Sequence, residues 1–235
     1  MIHVIVAPGS LAVGRSLTLD EDESHHLDVR RVTVGAEARA IDGVGGAARG
    51  TLRNITGRWE FEVSATGSTP APPPTTLAVA AADRDRFLLV VEKSAELGVS
   101  RIIPLETRHT SSVSTRLREA ALDKARRRVR EACKQSGNCW FPVIDPITRI
   151  SQLEPSIRWF LADPWGERLP DLDQTQPVGW LIGPEAGFAP DERTALVERL
   201  DALPVALGSH VLRFETAAIV AAALTSFRRP QPMGE

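Results

Sequence analysis

Residues 68–76, STPAPPPTT, limit the fold most strongly, because their four prolines cannot lie inside a packed helix or a central strand. The chain must break here, and the apolar pattern differs on the two sides. Before the break, AEARAID (36–42) and WEFEVSA (59–65) alternate with a period of two, and DGVGG (42–46) offers a hairpin turn. A short helical piece is expected around DEDESHHLDV (20–29). After the break, TLAVAAA reads as a buried strand. RFLLVVEKSAELG follows as a helix with Phe87, Val90, Val91, Ser94 and Leu97 on one face and Gly98 as its stop. RIIPL, RWFLAD, VGWLIG and ALPVALG read as further short buried strands. The expected organisation is a small β-rich domain over 1–69, a proline-rich linker over 70–76, and an α/β domain with a largely parallel sheet over 77–235.

Charge and cysteine content narrow the class. The net charge of −2 gives no global attraction for nucleic acid, so an RNA partner must be met by a local basic surface. Residues 116–134 supply one, with eight Lys or Arg against three acids, although a solvated helix face has the same composition. Cys133 and Cys139 fit neither a CxxC pair nor a zinc site, and reduced thiols in a cytoplasmic protein are expected. His25 and His26 lack a third ligand at metal spacing, so no metal is expected. The start MIHVIVAPGS has no signal-peptide pattern, and the longest apolar run, AAIVAAAL (217–224), is too short to cross a membrane.

Two stretches share one grammar of strand, glycine, short loop and helix: LIGPEAGFAPDERTALVERL (181–200) and VALGSHVLRFETAAIVAAAL (205–224). A glycine turn before a helix suggests a phosphate site, but the P-loop lysine and the three-glycine dinucleotide fingerprint are both missing. Glu185 would also repel an anion. A neutral or cationic ligand rich in N–H and O–H groups suits the turn better, with Gly183 and Gly187 allowing close approach or positive φ. A plain strand-to-helix connection would use the same residues, with Pro190, Asp191 and Glu192 in the first helical turn. Two such loops at the carboxyl ends of neighbouring strands could grip one ligand together.

These loops, with KSAELGVSRIIPLETRHTSSV (93–113), REACKQSGN (130–138) and HHLDVRR…G (25–35), resemble the RsmE family of 16S ribosomal RNA uridine-N3 methyltransferases in the SPOUT superfamily. The resemblance runs nearly end to end. It implies a PUA-like β-barrel that helps dock RNA, an α/β domain threaded through a trefoil knot, S-adenosylmethionine as cofactor and a homodimer. Carried over by position, Ile182, Gly183, Glu185, Gly187, Leu207, Gly208, Leu212 and Arg213 form the cofactor site. Arg213 is assigned the stabilisation of the developing imidate, and Glu215 the orientation of Arg213 or receipt of the proton. Arg31, Lys93, Arg108, Arg127 and Arg128 are the expected contacts to 16S rRNA, although Lys93 and Glu96 could equally be a helix surface pair. Departures from the usual family residues stand at Ala186, Ala189, His210, Phe214 and Asn138. Two other readings share the same grip: a related SPOUT enzyme acting on ribose 2′-oxygen or transfer RNA, and a non-catalytic RNA-binding assembly factor.

Overall fold

The computed structural model describes residues 2–173 and 176–226. Along these residues run β1 (Ile2–Ile5), β2 (Ser16–Thr18), α1 (Glu21–Val29), β3 (Glu37–Ile41), β4 (Gly46–Ile55), β5 (Arg58–Ser68), β6 (Thr75–Ala80) and α2 (Arg84–Glu96). They continue with β7 (Arg101–Glu106), α3 (Arg108–Ser111), α4 (Leu122–Ser136), β8 (Val143–Ile144), β9 (Thr148–Arg149), β10 (Arg158–Glu167), β11 (Val178–Ile182), α5 (Pro190–Leu200), β12 (Leu203–Val205) and α6 (Phe214–Ser226). The chain divides into two compact units, one built on residues up to Ala71 together with Arg130–Phe141, the other on Pro72–Val129 and the residues from Pro142 onward. Ser68 ends β5 and Thr75 opens β6, so the four prolines lie between these two strands.

The first unit is a five-stranded sheet in the order β1-β3-β4-β5-β2, antiparallel except for the β1–β3 pair. Its core follows from the alternation on β5, which buries Trp59, Phe61 and Val63 beside Leu17, Leu27, Ala40 and Leu52. The DGVGG turn forms as expected, and Asp42 organises it: Oδ1 accepts from the N–H groups of Val44 (3.0 Å) and Gly46 (2.8 Å). The end of α4 contributes Lys134, whose Nζ lies 2.9 Å from Glu23 in a buried ion pair with side-chain exposures of 8% and 4%. Placement of Lys134 in a basic surface stripe is therefore corrected. Its charge is spent inside the first unit.

The second unit is a parallel sheet in the order β12-β10-β11-β6-β7-β8, with β9 also on β7. The fold class is α/β, as the alternation of strands and helices required. One face, with Ala78, Ile103, Leu161 and Leu181, buries Leu196 and Leu200 of α5. Because successive strand side chains alternate, Phe160 and Trp180 point to the opposite face. There Trp180 Nε1 donates to Thr225 of α6 at 3.2 Å. On α2, Phe87, Val90, Val91 and Ser94 are buried, and Gly98 follows its end at φ +73°. Leu97, expected on the same face, is only half-buried. The chain runs β10, β11, then out past β10 to β12, and returns along α6 to pack on β6, β11 and α2. The loops after β6, β11 and β12 thereby meet at one edge of the sheet, where the strand order switches direction. No helix among the described residues is long and apolar enough to cross a membrane.

Candidate functional site

The loops after β11 and β12 line one groove of about 310 Å³ with the end of β10. Seven of the expected cofactor residues face it: Ile182, Gly183, Glu185, Gly187, Leu207, Gly208 and Leu212. Arg213 is not among its lining residues and its side chain is exposed, with no ion pair among the described residues. The first loop is a tight turn closed by the Gly187 N–H on Pro184 O at 2.8 Å, with Gly187 at φ +73°. Glycine is required there because an L side chain is strained in this region. Ala186 has no positive φ, so alanine stands there without backbone strain. At Gly208 a Cβ would meet nothing within 4 Å, which leaves open space beside the backbone.

Ala189 offers no capping side chain at the start of α5, and Glu192 compensates from within the first turn. Its Oε2 accepts from Ala189 N (2.9 Å), while Oε1 accepts from Arg108 N (2.7 Å) at the start of α3. This half of a capping box ties the loop after β7 to the loop after β11.

The two loop acids prove to be linked through a residue that sequence reasoning missed. Arg86, in the first turn of α2, donates from Nη1 to Glu185 Oε1 at 2.9 Å and lies 3.9 Å from Glu215 Oε1. The Glu215 side chain is 13% exposed, and its Oε2 is buried without a partner. Neither acid is isolated, and Glu215 faces Arg86 rather than Arg213. The available signal was positional: Arg86 follows β6 at the same sheet edge. Beyond the Pro184–Glu185 segment, a second cavity of about 310 Å³ is lined by Arg86, His109 and Thr115.

At the outer rim, Asp163 accepts from Arg193 Nε (3.1 Å) and Nη2 (2.8 Å) and from the Trp165 N–H (2.9 Å). Burial works to raise the Asp163 pKa, but these hydrogen bonds prevail and hold it below the ordinary carboxylate range. Among the described residues Arg193 is the single Lys or Arg lining the groove, and it is committed to Asp163. Among the described lining residues no Lys or Arg is left free for a phosphate, while the apolar walls of Leu161, Phe188, Val211 and Leu212 suit a flat heterocycle.

Of the five expected RNA contacts, Lys93 and Arg128 meet at Glu92. Lys93 sits between Glu96 (2.7 Å) and Glu92 (3.0 Å), whose hydrogen bonds raise its pKa. Arg128 also pairs with Glu92 (3.0 Å), and Arg108 with Asp191 (2.5 Å). Arg127 on α4 and Arg31, at φ +52° after α1, are exposed and make no salt bridge among the described residues.

Comparison with known proteins places this geometry. A family described as RNA methyltransferase domain matches residues 69–226, and one described as RNA methyltransferase PUA domain matches residues 19–65. The chain is 30% identical to ribosomal RNA small subunit methyltransferase E of Mycobacterium tuberculosis and of Mycobacterium bovis, over 94% of this chain and 88% of each relative. The chain belongs to the RsmE family of RNA methyltransferases. Within this family it is similar to the crystal structure of a ribosomal RNA small subunit methyltransferase E from Neisseria gonorrhoeae bound to S-adenosyl methionine. The identity is 26%, 97% of both chains is covered, and the TM-score is 0.85. A Legionella pneumophila protein in complex with the bound cofactor SAM is 25% identical over 96% of this chain and 97% of that one, with a TM-score of 0.82. The sheet of the first unit is thus the family's PUA domain.

Proposed function

We propose that this chain transfers the methyl group of S-adenosylmethionine to N3 of a specific uridine in 16S rRNA of the small ribosomal subunit. The observation that carries the reading is the convergence of two glycine loops on one apolar groove without a phosphate clamp. The reading is supported by the Neisseria and Legionella proteins, similar to this chain over nearly their whole length, which are bound to S-adenosylmethionine. Ile182, Gly183, Glu185, Gly187, Leu207, Gly208 and Leu212 would hold it, Gly187 by its φ and Gly208 by the open space at its Cα. When bound, the cofactor supplies an electrophilic methyl group on a sulfonium cation, whose charge the acids Glu185 and Glu215 favour.

Uracil N3 bears an imide proton that must leave as the methyl arrives. Arg213 is exposed, without an ion pair among the described residues, between the groove residues Leu212 and Phe214, where its guanidinium can meet an incoming base and stabilise the developing imidate. Glu215, with its unpartnered Oε2, is the candidate to accept the proton. Alignment of donor and acceptor supplies about 7–11 kcal/mol of the barrier in well-ordered sites.

Arg31 of the PUA domain and Arg127 of α4, which make no salt bridge among the described residues, are assigned to the RNA backbone, with Lys93, Arg108 and Arg128 joining by exchange of carboxylate for phosphate. The domain boundaries at 1–69, 70–76 and 77–235, the trefoil knot, a homodimer and a cytoplasmic location complete the reading. The return of α6 across the sheet to β6, after β12 at the far edge, is the chain path that supports a knot. The alanine-rich α6 is small enough for close packing in a dimer, and Phe227, which follows it, lies outside the described residues. The test is mass spectrometry of nucleosides from small subunits incubated with the protein and labelled cofactor. N3-methyluridine is expected; a 2′-O-methylated product or a labelled transfer RNA would overturn the target. Arg213→Ala is expected to lower turnover far more than cofactor affinity, and equal losses would make Arg213 a binding residue only.

A further inference from the structure

Trp165 is 92% exposed, whereas Trp59, Trp159 and Trp180 are each 3% exposed or less. It stands at the rim of the groove on an interruption of the β10–β12 pairing. Ala162 and Glu167 both register against Val205, so residues 163–166 bulge from the ladder. Such bulges re-aim a side chain, and this one is fixed at both ends. Asp163 is clamped by Arg193 and caps the Trp165 N–H, while a Cβ at Gly166 would lie 2.4 Å from Val205 N and 2.5 Å from Pro204 C. The Ala206 N–H closes the far side on Glu167 O at 2.9 Å. A large apolar ring is thus held outward on a rigid support, beside exposed Val211 on the facing loop.

We infer that Trp165 is a stacking platform for a base of the RNA substrate at the mouth of the groove, a positioning role that rests on the reading of the groove as the methyl-donor site. A ligand enclosed by Leu161, Ile182 and Leu212 lies below a ring that is nearly all exposed, so what covers the ring arrives from solvent with the acceptor. Aromatic stacking accepts any base and pre-orders the strand before the target nucleotide enters, at a gain of about 5- to 150-fold in affinity per base.

The test uses the full-length protein with Trp165→Ala and Trp165→Phe, followed by tryptophan fluorescence and by methyl transfer to small subunits. Wild-type emission is expected to be quenched by RNA and by acrylamide, with RNA protecting against acrylamide; Trp165→Ala should lose both responses. The KM for RNA should rise about tenfold in Trp165→Ala and recover in Trp165→Phe, with kcat and cofactor affinity within about twofold of wild type. Quenching by S-adenosylmethionine alone would place the ring on the cofactor and overturn the inference. Shielding that depends on protein concentration would place it against a second copy and overturn it equally. An unchanged KM in Trp165→Ala also defeats it while leaving the function intact, whereas a wild-type protein without methyl transfer defeats the function itself.

Discussion

At the scale of single residues, Arg86 binds the two loops into one unit. Removing it leaves Glu215 partly buried with no ion-pair partner among the described residues, a change that costs about 1–3 kcal/mol for a buried polar group losing its partner. Arg86→Ala is expected to lower the melting temperature and to weaken cofactor binding, with Arg86→Lys intermediate; unchanged calorimetric affinity in Arg86→Ala would remove Arg86 from the site. Gly187→Ala should cost about 1–2 kcal/mol by forcing an L residue to positive φ, whereas Ala186→Gly should be nearly neutral for the bound state. Asp163 predicts a pH dependence of defined sign. Its folded pKa lies below the unfolded value near 3.9, so the clamp is complete above that value and is lost as pH falls through the lower, folded one. The Trp165 environment should stay constant from neutral pH down to about pH 4 and loosen below it, a transition that Asp163→Asn abolishes in tryptophan fluorescence.

At the scale of elements, α4 illustrates what a sequence pattern can and cannot convey. Leu122, Ala125, Val129 and Cys133 are buried at helical spacing. The charged residues between them were legible only as a basic stretch. Ion pairs of Arg128 with Glu92 and of Lys134 with Glu23, the latter 111 positions apart, depend on tertiary contacts that spacing cannot encode, unlike the local Arg126–Asp123 pair within the helix. Lys134→Ala strands the buried Glu23 carboxylate and should cost about 3–5 kcal/mol in chemical denaturation, with much of it recovered by pairing Lys134→Met with Glu23→Leu. Burial also raises the Cys133 pKa to about 12, so the native thiol should resist alkylation at neutral pH and react only on unfolding. The strands β3, β5, β6, β7 and β11 were legible because their residues alternate or are continuously apolar over whole strand lengths. The reach of β10 to Glu167 was not, since DPWGE carries no strand pattern and is held by Arg193 and by β12 from outside the segment. In the same way the glycines of the groove could be read from loop chemistry, whereas Arg86 could be placed only once β6 was known to neighbour β11.

At the scale of the molecule, function depends on topology. Parallel order brings the loops after β6, β11 and β12 to one edge, and the return of α6 over β6 and β11 sets Glu215 beside Arg86. The overall charge of −2 offers RNA no global attraction, so binding should rest on local cations such as Arg31 and Arg127. Charge reversal at either should weaken subunit binding and flatten its salt dependence by about one counterion, leaving cofactor affinity unchanged. The central claim is that the loops at 182–187 and 207–212 together cradle a positively charged methyl donor. Calorimetric titration of the folded protein with S-adenosylmethionine tests it most directly, with Gly208→Leu as the variant that fills the open space at the second loop. Saturable binding that Gly208→Leu abolishes at unchanged melting temperature is the predicted result; no heat with S-adenosylmethionine but binding of a nucleoside triphosphate would contradict it.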